Sequence, residues 1–367
     1  MELQQTRLEN QQRLTPHLDD IRNGRMTGAL EPFAKAYLGL YYQLDNSVPP
    51  RQRVEQLSGG ELYQAILSGF ERVLEEGAMP TPEAIGAAVV EGEGLGLGYI
   101  LLAALEEWCG DQPERVLRLR AEVLQAALCY QLAYGDYQQR PWLERIMRER
   151  PALVEQTLLQ FWGPFLRAGK ELLPGLNTLL RGHRHPQISG PIAMALLRDG
   201  SRCDPYTLRR LLHTALATGH QDGIRSIARQ ASEALDAADI KRKIYWLATA
   251  YLLEPQANAQ ALALYTGRTK EKVLRLMDFS VALLMDEHID IRLEAMDLAR
   301  LLRLIAPIIV RNEGRGGLLD EDSSKVLWLF EALRTYPKAE RAAAVDWLRT
   351  VRVMRAYADV LDELAER

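Results

Sequence analysis

The chain has 367 residues, 47% hydrophobic and 26% charged, and its 45 Lys and Arg against 49 Asp and Glu leave a formal charge of −4. Such a length exceeds what a single core fills, about 250–300 residues, so two or three lobes or one extended solenoid are expected. The composition carries no sign of intrinsic disorder, and the charge balance argues against nucleic-acid binding through bulk charge.

Leu, Ala, Glu, Gln and Arg dominate and alternating Val/Ile/Thr runs are nearly absent, which predicts an all-α fold. From the N-terminus, Thr27 is placed to cap a helix carrying Phe33, Tyr37 and Leu40. Ser58 and Glu61 have capping-box spacing ahead of Ala65, Ile66 and Phe70. Thr81-Pro82 and Asp204-Pro205 each set a capping side chain before a proline at the first helical position, where its missing N–H costs nothing. Residues 91–98, EGEGLGLG, are glycine-dense and read as a hinge or a close helix approach. Arg115, Arg118 and Arg120 fit one solvated helix period, with a local basic face as the alternative. Interruptions at residues 170–190 place a boundary between lobes 1–180 and 181–367.

Beyond that boundary, Leu208, Leu211, Leu212 and Ala215 form one apolar face, and Val273, Leu276, Met277 and Ser280 nearly repeat it. Trp246 lies on an apolar helix ending at Pro255, and its position predicts burial. Residues 308–319 read as a small β-hairpin or a looser loop. Regular breaks leave roughly seventeen helices joined by short connections, which favours antiparallel neighbours. The expected architecture is an irregular right-handed α-solenoid of helix pairs, HEAT- or TPR-like but with no strict period.

Chemistry-bearing patterns are sparse. The glycine stretch Gly92 to Gly98 has no Lys after it and carries Glu91 and Glu93, so it is not read as a phosphate loop. His183, His185, His213 and His220, with Cys203 among them, are candidate tetrahedral zinc ligands, although their spacing matches no zinc module. The acid pairs Asp19-Asp20, Glu106-Glu107 and Asp320–Asp322 are adjacent and point apart on a helix. Ser189-Gly190 and Ser201 lack a nucleophile-elbow pattern. Most Trp and Phe residues fall at core spacing. Tyr41 and Tyr42, with Tyr63, are candidates for a partner-binding face, against a packing role that Tyr37 and Tyr41 share. No cofactor is implied. Three scattered cysteines, a polar N-terminal segment and the lack of any apolar run near ~20 residues predict reduced thiols, a cytoplasmic location and no membrane partner.

Several segments carry a resemblance: AKAYLGLYYQLDNSVPPRQRVEQLSGGELYQAILSGFERVL at 34–74, followed by MPTPEAI at 79–85; PALVEQTLLQFWGPFLRAGK at 151–170; KIYWLATAYLLEP at 243–255; and WLRTVRVMRAYADVLDELAER at 347–367. They resemble stretches of the helical-repeat region in large bacterial NACHT or related STAND-type NTPases of antiphage defence, over residues from about 20 to the end. Those proteins add an N-terminal NTPase region and sometimes a C-terminal nuclease-like domain. The chain has neither the phosphate loop of the first nor the acidic-Lys motif of the second, so no catalytic residue carries over. It is either a stand-alone relative or a piece of a larger polypeptide. The resemblance implies a non-catalytic recognition or scaffold module for a protein partner, or for neighbouring domains of a larger NTPase assembly. Two alternatives stay open: a metal-dependent helical enzyme using the histidine cluster, and a nucleic-acid-binding helical array with an Arg-rich groove.

Overall fold

The computed structural model describes residues 2–94, 96–134, 140–180, 185–199, 203–309, 321–351, 354 and 357–366. Among the described residues the chain is 78% helical and all-α, with no strand. It packs as two compact units, Met1–Ile188 and Ser189–Arg367. No helix among the described residues is long and apolar enough to cross a membrane.

The first unit holds α1 (Glu2–Leu14), α2 (Leu18–Arg22), α3 (Thr27–Tyr37), α4 (Pro50–Ser58), α5 (Gly60–Glu76), α6 (Pro82–Glu91), α7 (Gly96–Cys109), α8 (Ala121–Ala133), α9 (Pro141–Glu149), α10 (Pro151–Arg167) and α11 (Leu176–Leu179). The division between units falls inside α12 (Pro186–Asp199). The second unit continues with α13 (Pro205–Ala217), α14 (Gln221–Ala234), α15 (Ile240–Leu253), α16 (Pro255–Thr266), α17 (Lys270–Leu284), α18 (Ala295–Ile305), α19 (Glu321–Arg334), α20 (Lys338–Thr350) and α21 (Ala358–Glu366). Short 3-10 turns at Thr15–His17 and Pro113–Arg118 complete the regular elements.

Two of the four expected caps form. The Thr81 hydroxyl accepts from Ala84 N at 3.2 Å, and the Asp204 carboxylate accepts from Tyr206 N and Thr207 N at 2.9 and 3.1 Å. Each satisfies donors that the first helical turn leaves unpaired. The other two do not form. Ser58 closes α4 and donates its buried hydroxyl to Val54 O at 2.7 Å, while α5 starts after Gly59 at φ +66°. Thr27 is already helical, and Met26 stands at the cap position without a side-chain bond. The Leu40 position also differs from the periodic reading. α3 ends in a Schellman turn, with Gly39 at φ +77° and Leu40 N donating to Lys35 O at 2.8 Å, so Leu40 leaves the buried face and is 57% exposed.

Arg115, Arg118 and Arg120 are not one α-helical stripe. The first two sit in the 3-10 turn, and Arg120 reaches back to Gly77 O at 3.0 Å. The expected hairpin falls largely outside the described residues; Ile308 and Ile309 lie in a turn and a bend.

Packing inside the first unit joins helices distant in order. The most extensive contacts are α6 with α10 and α3 with α7, and α5 lies between α2 and α7. These approaches depend on small residues. A Cβ on Gly98 would run into the Tyr130 ring and the Tyr134 hydroxyl, so Gly98 permits the close approach of α7 to Tyr130 of α8, whereas among the described residues nothing lies near Gly94; Gly92, at φ +76°, ends α6. In the second unit each helix packs on the next or the next but one: α13 on α15, α15 on α17, α17 on α19, α16 on α18 and α18 on α20. Both expected apolar faces are buried there, and Trp246 is only 1% exposed. Trp328 and Trp347 are half-buried rather than core.

Candidate functional site

The outward face of α5 is the floor of a groove in the first unit. Leu62, Ala65, Ile66, Gly69, Phe70, Val73 and Leu74 turn inward and are buried. Gln64, Leu67, Ser68, Glu71, Arg72 and Glu75 recur at helical spacing on the opposite side. Two clefts of about 330 and 340 Å³ lie over this stripe and share Ser68 and Glu71. The stripe covers about 17 Å of helix axis. Arg51, Glu107, Trp108 and Arg115 wall one end, and Arg22 and Asn23 the other.

The wall at the Arg51 end is tied together by side-chain contacts. Arg51 Nε donates to Glu107 Oε1 and Oε2 at 2.9 and 3.1 Å, and its Nη2 makes a further contact with Oε1. Tyr37 donates its hydroxyl to Glu107 Oε2 at 2.8 Å. Burial, then the Glu107 charge, pushes the Tyr37 phenol well above its ordinary range, so it stays a donor. The hydrogen bond to Glu107 in turn raises Arg51 further. Glu106 points the other way, accepting from Trp142 Nε1 at 2.8 Å and pairing with Arg140 at 3.2 Å. The adjacent acids thus diverge, one toward the groove and one toward α9.

Other groove groups are not so occupied. Among the described residues the side chains of Gln64, Ser68, Glu71 and Arg115 have no hydrogen-bond or ion-pair partner on the chain. The Arg115 guanidinium sits over the Trp108 ring, 4.2 Å from its centroid. By contrast, Arg72 is held by Glu75 and Glu76, and Arg22 by Asp19.

The candidate zinc ligands are engaged separately. His185 Nε2 lies 3.1 Å from a Glu144 carboxylate oxygen, His213 Nε2 lies 2.9 Å from Asp286 Oδ2, and His220 Nδ1 lies 3.1 Å from Thr218 Oγ1. Cys203 is a buried free thiol that burial pushes up to about 11, so it is not a thiolate near neutrality. His183 lies outside the described residues. Among those residues no group of three or more His, Cys, Asp or Glu side chains is arranged to hold a metal ion. Asp286 also accepts from His288 Nδ1 at 3.0 Å, a contact that joins a histidine outside the expected cluster.

The tyrosine candidates separate. Tyr42 is 89% exposed and stacks on Tyr41, with ring centroids 6.1 Å apart. Tyr63 is half-buried beside the groove; burial raises its phenol and the Arg51 charge opposes the shift. Leu40 rims a smaller cleft of about 140 Å³ with Leu38, Tyr99, Leu102, Tyr134 and Arg140. The sequence reading missed the α5 stripe, although the three- and four-residue spacing of Gln64, Ser68, Glu71 and Glu75 was a signal that could have found it. Arg51, Glu107 and Arg115 reach it from distant segments, and no sequence pattern brings them together.

No protein-family model matches the chain, and no curated protein or solved structure matches it either.

Proposed function

We propose that the chain is a non-catalytic recognition module that binds another protein through the α5 groove. The supporting observation is the contrast along that groove. Its wall is pinned by Arg51, Glu107 and Tyr37, while Gln64, Ser68, Glu71 and Arg115 have no polar partner on the chain among the described residues. Wall side chains that already hold one another have less freedom to lose on binding, and the unpartnered groups beside them can be satisfied by a ligand. The separate engagement of His185, His213 and His220 makes the metal-enzyme alternative the weaker one.

The wider setting is proposed on the resemblance of the quoted segments: a helical-repeat part of a NACHT- or STAND-type defence assembly in the bacterial cytoplasm. The next-but-one packing of the second unit supports a solenoid of this kind. Affinity purification from the native host, comparing the unaltered chain with the groove-filling Ser68→Trp, tests the binding. One protein should co-purify with the first and be lost with the second at unchanged thermal stability. Equal recovery with both would end the groove assignment. Sequencing the surrounding reading frame tests the assembly, which fails if no NTPase region is encoded with or beside the chain.

A further inference from the structure

We infer that the groove takes a mixed-charge peptide segment, presenting a carboxylate to Arg115 and an ammonium or guanidinium group to Glu71. The inference rests on the recognition proposed above and specifies its ligand. Four charged side chains line the α5 cleft at the Arg51 end: Arg51, Glu71, Glu107 and Arg115. Arg51 and Glu107 neutralise one another, so the ligand meets one unspent cation and one unspent anion. Arg115 is prepared for its task. Its guanidinium carbon lies 4.2 Å from the centroid of the Trp108 ring, a contact that holds the cation beside the cleft without a carboxylate partner and leaves its charge for one. Gln64 and Ser68 share the cleft with Glu71. Each offers both donor and acceptor capacity, which matches the alternating N–H and C=O of a peptide main chain.

A nucleic acid fits this pattern poorly. Its phosphates recur along the strand and require several cations. Along the groove Arg22, Arg51 and Arg72 are already paired with Asp19, Glu107 and Glu75 or Glu76. Glu71, Glu75 and Glu107 would face the polyanion.

The probes are acetylated, amidated peptides with one Asp and one Lys separated by a glycine spacer of varied length. They are titrated into the full chain while the Trp108 indole resonance, assigned with Trp108→Phe, is followed by NMR, and heats are measured by calorimetry. At one spacer length the resonance should shift saturably. Asn for Asp in the peptide, Arg115→Gln, or Glu71→Gln should each weaken binding about tenfold, the size of one lost charge-assisted contact. Glu71→Lys paired with a peptide carrying Glu in place of Lys should restore it. No saturable shift at any spacer, equal affinity for the Asp and Asn peptides, or tighter binding of a single-stranded oligonucleotide would overturn the inference. If peptides fail while Ser68→Trp still abolishes partner recovery, the mixed-charge ligand falls and the recognition groove stands. If partner recovery also fails to depend on Ser68, both fall.

Discussion

Gly86 in α6 lies directly against the backbone of Phe161 in α10, so a Cβ on the glycine would overlap the Phe161 carbonyl oxygen. This is one of the two most extensive helix contacts of the first unit. Backbone cannot move aside as a side-chain tip can, so Gly86→Ala should cost about 1–3 kcal/mol through overpacking. Gly28→Ala is the counterpart: nothing lies near its would-be Cβ, and it should be neutral or stabilise by up to about 1 kcal/mol. Urea midpoints for the two variants should move in opposite directions or differ by at least the overpacking cost.

Trp246 is buried in α15. Truncation to Ala leaves a cavity that rigid helices only partly fill, and the expected loss is about 3–5 kcal/mol. An equilibrium urea titration checks it: the midpoint should fall sharply while the slope is preserved. An unmoved midpoint would contradict the burial.

Asp204 caps α13 by accepting from two backbone N–H groups. Asp204→Ala should cost about 1 kcal/mol, and Asp204→Asn or Asp204→Ser should recover most of it because either still supplies an acceptor oxygen. Thermal midpoints of the three variants should rank accordingly.

Alkaline pH should destabilise the fold. Burial pushes Cys203 up to about 11 and Cys109 and Tyr130 up to about 12, and it also raises Cys129, Tyr134 and Tyr251. In the unfolded chain thiols release protons near ~8.5 and phenols near ~10. The folded chain therefore binds more protons through that window. Their stabilisation is fully present below the unfolded values and is lost as pH rises through the folded ones, by up to about 1.4 kcal/mol per pH unit for each group. Unfolding free energy measured from pH 8 to 11 should bend downward with increasing steepness. A thiol reagent at pH 8 should label the native chain slowly and all three cysteines rapidly in urea.

Helix content was legible in the residues because it follows from local terms. Propensity, proline-led starts such as Thr81-Pro82 and Asp204-Pro205, and the 3.6-residue apolar faces of α13 and α17 each act over a few neighbouring positions. The divergence of Glu106 and Glu107 follows from helix geometry in the same way. What failed was set by longer reach or by backbone choice. Ser58 and Glu61 have capping spacing, yet the packing of α4 buries Ser58 and leaves the turn to Gly59. Leu40 keeps the α3 period, but the left-handed Gly39 removes it from the core. The groove is the clearest division. Its floor, Gln64 to Glu75, is a property of one helix, so its spacing could have shown it, although the sequence reading singled out only the apolar Ala65, Ile66 and Phe70. Its walls bring Arg51, Glu107 and Arg115 together from three separate segments, and only tertiary packing decides which of those charges cancel and which are left for a ligand, because ion pairing depends on distance through space and not along the chain.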